Sequence, residues 1–208
     1  MGYFFSSATP AASNPDILFW PCNDGSGTTI TATVGAGSTN FDGTWSDLTG
    51  GNYALALNGS QKADSASVTY GTSNITLKFK IKPASWSGGA TAIELIQSAG
   101  TYRFRIYNAY NIVYFAIHAG GSVRYAYIPT SLLATGSWHD VSVNLNAVAT
   151  NGSFTIYTDG VLRTPTLDGS GNLGGNTYTA GVLTVGAASN GFSGEFDALE
   201  IWAGDETP

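Results

Sequence analysis

Charge is scarce in this chain. Only 11 % of its 208 residues are Asp, Glu, Lys or Arg, less than half the usual share of a soluble domain. Basic residues are the scarcer kind, 8 against 14 acidic, and leave a net charge of −6. That balance speaks against a nucleic-acid partner, because phosphate binding needs a basic stripe. Cysteine is nearly absent. Cys22 is the only one, so there is no intrachain disulfide and no cysteine-built zinc site, and the compartment stays open. No apolar run approaches the roughly 20 residues of a membrane-spanning helix. Residues 1–13 lack a basic n-region and a long apolar core, so they do not read as a secretory signal.

What the chain has is glycine, 27 residues, and aromatics, 12 % of the total. That much buriable surface argues against disorder. Scarce Lys, Glu, Leu and Arg beside abundant Gly, Ser, Thr and Asn argue against long helices. The length suits one large β-domain, which buries roughly 70 % of its unfolded surface without metal or disulfide. Sequons at Asn58, Asn74 and Asn151 read as chance in a chain of this composition.

The apolar pattern has period two. Ile75, Leu77, Phe79 and Ile81 alternate with Thr76, Lys78, Lys80 and Lys82 up to Pro83, a half-buried strand whose lysine face reads as solvated. Tyr102, Phe104 and Ile106 alternate with Arg103, Arg105 and Tyr107. Val113, Phe115 and Ile117 alternate with Tyr114, Ala116 and His118, and Gly120-Gly121 turns the chain into a strand over 123–128. Asp159-Gly160 reads as a tight hairpin turn. Short strands with Gly-rich turns imply an all-β, two-sheet antiparallel jelly-roll sandwich. Residues 23–52 and 164–181 read as long loops. No linker or internal repeat interrupts 16–208, which is expected to be one domain. Residues 1–15 read as an extended arm, whose Tyr3, Phe4 and Phe5 would dock on the sandwich or on a neighbour.

Several motifs occur in a telling order. Ile17-Leu18-Phe19-Trp20-Pro21 precedes Asp24-Gly25-Ser26-Gly27-Thr28-Thr29; Leu55-Ala56-Leu57-Asn58-Gly59 and the strand Ile75 to Pro83 follow. Trp138-His139-Asp140-Val141 precedes Tyr157-Thr158-Asp159-Gly160-Val161, and the chain closes on Phe192-Ser193-Gly194-Glu195-Phe196-Asp197-Ala198-Leu199-Glu200-Ile201-Trp202. The set, over about residues 17–204, resembles laminin-G-like, concanavalin A-like jelly rolls. The resemblance implies one convex and one concave antiparallel sheet. Members bind glycans, bind proteins or hydrolyse polysaccharides, so the fold leaves function open.

Glu195-x-Asp197-x-x-Glu200 is similar to the catalytic pattern of family 16 glycosidases on this fold, where retaining hydrolysis uses two carboxylates ~5–5.5 Å apart. Here the motif lies near the C-terminus, where the family's closing strand belongs, so a non-catalytic role is expected, with Phe196, Leu199 and Trp202 facing inward. His118 and His139 are the only histidines, and no Ser-His-Asp set is visible. No cofactor is required. The resemblance does allow a structural calcium held by Asp197 and by Asp24 of the opening segment, with the alternative that Asp24 merely shapes its turn.

The outward positions Arg103, Arg105, Tyr107, Tyr114, His118 and Arg124 form the expected ligand-binding face, if their three strands meander. It holds three of the four arginines of an acidic chain. Aromatic rings suit sugars and Arg forks suit carboxylate or sulfate, and the same set suits a contact with another subunit. Two roles follow. Glycan-binding relatives point to recognition by an extracellular lectin domain. A low-charge Gly/Ser/Thr-rich surface points to an oligomer or larger assembly. A glycan-binding decoration, fibre or tail-associated protein on a viral (phage) particle satisfies both and is the role expected, with the extracellular lectin domain as the alternative. The partners expected are therefore glycans or neighbouring subunits, and the location a virion surface or the extracellular space.

Overall fold

A computed structural model of the chain describes residues 15–72, 74–86, 96–98, 102–119, 122–147, 152–170, 178, 180–187 and 190–206. Apart from Pro15, the expected arm lies outside them. In chain order the strands are β1 Leu18–Trp20, β2 Ser38–Phe41, β3 Thr44–Asp47, β4 Tyr53–Asn58, β5 Lys62–Val68, β6 Asn74–Pro83, β7 Ile96–Ser98 and β8 Tyr102–Ala109. They continue with β9 Ile112–Ala119, β10 Ser122–Pro129, β11 His139–Asn146, β12 Ser153–Thr158, β13 Val161–Arg163, β14 Thr166–Ser170, β15 Gly181–Gly186 and β16 Ser193–Ala203. The first sheet has the order β13-β12-β11-β6-β16-β4-β3, with β1 also on β16; the second has the order β14-β10-β9-β8-β7-β15-β5-β2. The pairings described are antiparallel, which gives the expected jelly-roll sandwich.

Period-two alternation builds the core. Ile75, Leu77, Phe79 and Ile81 of β6 are buried, as are Phe104 and Ile106 of β8 and Phe115 and Ile117 of β9. They join one continuous hydrophobic cluster that also takes in Trp20, Phe192, Phe196 and Leu199. Phe79 and Phe196 stack at 5.4 Å between ring centroids across β6 and β16. The β8–β9 hairpin turns on Tyr110 and Asn111, both with positive φ (51° and 62°), the geometry of a two-residue turn that matches strand twist.

Two expectations shift. The segments read as loops contain strands: β2 and β3 lie within 23–52, and β14 within 164–181. These strands are short, and β2 exposes its middle residues, so their sequences lack the apolar alternation that marks a strand. Trp202 also differs. It pairs with Thr76 while Ile201 pairs with Leu77, so it stands on the outer face of the first sheet and not in the core. One extra residue in β16 between Asp197 and Glu200 sets this parity, and Ala198 takes φ 51° there, as at a β-bulge.

Candidate functional site

The meander β8-β9-β10 exists and gathers most of the expected face. Tyr107 pairs with Tyr114, Arg105 with Ala116, and Arg103 with His118. The Arg103 side chain lies outside the described residues. Arg105, Tyr107, Tyr114 and His118 occupy the outward parity of their strands and are half-buried against one another.

Arg124 does not belong to this face. It pairs with Ile117, an inward, fully buried residue, so Arg124 points to the core side at the sheet margin. Its Nη1 donates to the Gly169 carbonyl of β14. Gly169 allows that approach: its φ is 98°, and a Cβ would run into the Val123 carbonyl. The outward residues of β10 are instead Tyr125, opposite Ala116, and Tyr127, opposite Tyr114. The signal for this lies in the Gly120-Gly121 pair. Ala119 pairs with Ser122, and that register sets Arg124 opposite Ile117.

The four tyrosines form a wall. Tyr107 and Tyr114 stack at 4.9 Å with 7° between planes. The Arg105 guanidinium lies 4.7 Å from the Tyr107 ring centroid. Tyr125 stands edge-on to Tyr107 and Tyr114, at 6.4 and 5.9 Å. Tyr127 tilts against Tyr114 at 5.4 Å, and His118 meets Tyr125 at 6.3 Å. Burial pushes the Tyr107 phenol well above its ordinary range, reinforced by Tyr125 and opposed by Arg105. The phenol is therefore neutral at physiological pH, and it already shares a hydrogen bond with Tyr125.

The outer face of the first sheet is built differently. Glu195, Asp197 and Glu200 stand opposite Lys82, Lys80 and Lys78 in register. The bulge converts the uneven 195/197/200 spacing into an even ladder. Lys82 pairs with Glu195 at 3.3 Å and Lys80 with Asp140 at 3.4 Å. Lys78 lies 5.2 Å from the Trp202 ring centroid, and the Trp202 indole donates to Glu200 at 3.0 Å. The lysine face is thus engaged side chain by side chain, and not simply solvated as its spacing suggests. Burial raises the Asp197 carboxyl, against the lowering influence of the Ala198 N–H and Lys80. Its Oδ1 is buried with no partner among the described residues.

Asp24 and Asp197 both act electrostatically on the buried Cys22 thiol, which burial and these carboxylates push up. Asp24 Oδ2 accepts from the Thr31 N–H at 2.7 Å, a loop-shaping role. Among the described residues no group of three or more His, Cys, Asp or Glu side chains gathers. Calcium takes six to eight oxygens, backbone carbonyls and water among them, of which Asp24 and Asp197 would supply the carboxylate share. His139 bridges Asp159 Oδ2 at 2.9 Å and the Ala134 carbonyl at 3.0 Å, and Asp159 Oδ1 accepts from the Asp140 N–H at 3.0 Å. The Trp-His and Asp-Gly motifs, distant in sequence, are therefore one hydrogen-bonded unit. No helix among the described residues is long and apolar enough to cross a membrane.

Residues 55–207 match a laminin-G-type family described as the concanavalin A-like lectin/glucanases superfamily. No curated protein matches the sequence. Among solved structures, domain 4 of AbnA, a GH43 extracellular arabinanase from Geobacillus stearothermophilus, in complex with arabinotriose, is similar, with a TM-score of 0.62 at 12 % identity, over 92 % of this chain and 94 % of that one. The binding domain of botulinum neurotoxin DC in complex with rat synaptotagmin II aligns with a TM-score of 0.63 at 14 % identity, over 91 % of this chain and 48 % of its own. The same domain in complex with SialylT gives 0.63 at 13 %, over 92 % and 48 %. The chain thus spans about half the length of the neurotoxin domains, and at these identities the likeness is one of fold.

Proposed function

The chain belongs to the concanavalin A-like lectin/glucanases superfamily, and from that premise we propose that it is a non-catalytic recognition module that binds glycan through the outer face of β8-β9-β10. The observation that carries this reading is the wall of Tyr107, Tyr114, Tyr125 and Tyr127 beside Arg105. A merely solvated sheet face needs no such density of large amphipathic rings, whereas Tyr and Arg dominate binding hot spots. Sugar hydroxyls meet the phenol hydroxyls and the guanidinium. Similarity in fold to an arabinanase domain solved with arabinotriose supports the carbohydrate class. The family 16-like carboxylates support catalysis poorly, since Glu195 is paired to Lys82 and Glu200 is held by Trp202.

One observation favours a second reading, a protein partner. Tyr107 is covered on its ring by Tyr114 and by Arg105, so a sugar cannot stack there, while hydroxyl rims and a guanidinium suit a protein contact. In that reading the face joins the chain to a receptor or to subunits of an assembly, with a viral particle as the setting that its low charge of 11 % suits. A glycan screen with wild type and Arg105→Ala separates the two. Selective, Arg105-dependent sugar binding supports the glycan reading. No sugar binding together with self-association that Arg105→Ala weakens supports the assembly reading. Salt that weakens sugar binding marks an anionic glycan.

A further inference from the structure

We propose that the outer face of the first sheet carries a second, separate binding groove, which takes a neutral oligosaccharide of two sugar rings. Two hollows lie side by side there and share Lys80 and Asp140 as their common wall. One, of ≈ 220 Å³, lies between Lys78 and Tyr157; the other, of ≈ 290 Å³, lies against Trp138 and Asp197. Each is smaller than the roughly 300–1,000 Å³ of a drug-sized pocket, room for one ring apiece.

The sequence makes the first hollow. One row across the sheet reads Glu200, Lys78, Ser142, Tyr157, and Ser142 is the short side chain among long ones. Its floor continues at Ala198 of the bulge and at Gly160 of the β12–β13 turn, where small residues leave space. Tyr157 lines the first hollow and Trp138 the second, and the C–H face of a sugar packs against either ring.

The polar groups select a neutral polyol. Lys78 and Lys80 supply donors only, and Asp140 and Glu200 supply acceptors only. Their charges cancel in the first hollow, so a charged ligand would leave one partner uncompensated. A vicinal diol donates and accepts at adjacent oxygens and matches an ammonium beside a carboxylate. Trp202, only 7 % exposed, fixes the first pair: Lys78 lies over its ring and Glu200 takes its indole N–H. The Lys80–Asp140 pair is exposed, at 51 % and 67 % of its side chains. Such a pair gives up little when its groups turn to a ligand.

The test is amide chemical-shift mapping of the full chain, titrated with cellobiose, maltose and lactose, and with glucuronic acid as the charged control. The expected result is saturable shifts at Ser142, Tyr157 and Gly160 with at least one neutral disaccharide, in the millimolar range. Tyr157→Ala is expected to weaken that binding about tenfold. Glu200→Gln, which keeps the shape, weakens it several-fold and serves should Tyr157→Ala not fold. Silence at these amides with all three disaccharides overturns the proposal, as does binding that survives both variants or glucuronic acid binding more tightly. Amides of β8-β9-β10 report on the tyrosine face in the same spectra, so failure at one face is distinguishable from failure at the other.

Discussion

On the first sheet the outward side chains of β6 find partners of opposite kind: Lys82 with Glu195, Lys80 with Asp140, Lys78 with the Trp202 ring. On the second sheet the outward side chains of β8, β9 and β10 find their own kind, tyrosine against tyrosine, with Arg105 closing one end. Both faces come from the same alternation, yet they differ in what remains unspent. Paired opposite charges satisfy each other and hold neighbouring strands in register. Stacked tyrosines satisfy their rings and leave hydroxyls at the rim. The difference teaches that outward polarity alone does not identify a recognition surface. The two faces offer a ligand different things: a wall of rings with hydroxyl rims and a guanidinium on the second sheet, and hollows between paired charges on the first.

The first way to break that comparison is Trp202→Ala. Trp202 is nearly buried although it stands on an outer face, and it holds both Lys78 and Glu200. Its loss is expected to cost about 3 kcal/mol in denaturant-measured stability, while glycan binding at the tyrosine face persists. A cost close to zero would show that the first sheet's outer face is no more structural than the second's. Arg124→Ala comes next. It removes a charged donor to the Gly169 carbonyl, and is expected to cost about 1.5 kcal/mol of stability with ligand affinity at the tyrosine wall unchanged. Affinity lost without stability would return Arg124 to the binding face.

Asp159→Asn is expected to cost about 1 kcal/mol, a modest value because the carboxylate is 45 % exposed. Burial alone would raise the Asp159 carboxyl, but the His139 hydrogen bond and the Asp140 N–H outweigh it and hold the group below its ordinary value. A folded-state pKa below the unfolded one stabilises at pH above the unfolded carboxylate range, and that stability is lost as pH falls through the folded value. The variant should therefore show a flatter acid limb in melting temperature against pH. An unaltered acid limb would remove Asp159 from the account. The smallest effect expected is that of a chelator. With Asp24 bonded to Thr31 and no group of three or more His, Cys, Asp or Glu side chains among the described residues, EDTA should leave the melting temperature unmoved; a clear drop would establish a bound ion.

Much of this was legible in the sequence, and the rest was hidden for identifiable reasons. Alternation at 75–81 and 113–117 marks the core because aliphatic and Phe side chains have one comfortable environment. Residues 123–128 mislead because Tyr fits either face, so Arg124 takes the outward place that Tyr125 and Tyr127 occupy. Register arithmetic from Gly120-Gly121 resolves this where hydropathy does not. The glycosidase-like carboxylates mislead in another way. Their spacing becomes a ladder only once the bulge at Ala198 is known, and a bulge depends on which strands lie alongside. The polar strands β2, β3 and β14 carry too little alternation to be seen at all.

The central claim, that the outer face of β8-β9-β10 is the recognition surface, is tested most directly by calorimetric titration of wild type and Tyr114→Ala with the tightest-binding glycan of the screen. Tyr114 touches Tyr107, Tyr125 and Tyr127, so it lies at the centre of the wall. The account predicts an affinity loss of about 2 kcal/mol, with folding stability reduced by no more than about 1 kcal/mol, as for an outward cross-strand pair. Unchanged affinity in a folded Tyr114→Ala protein would contradict it.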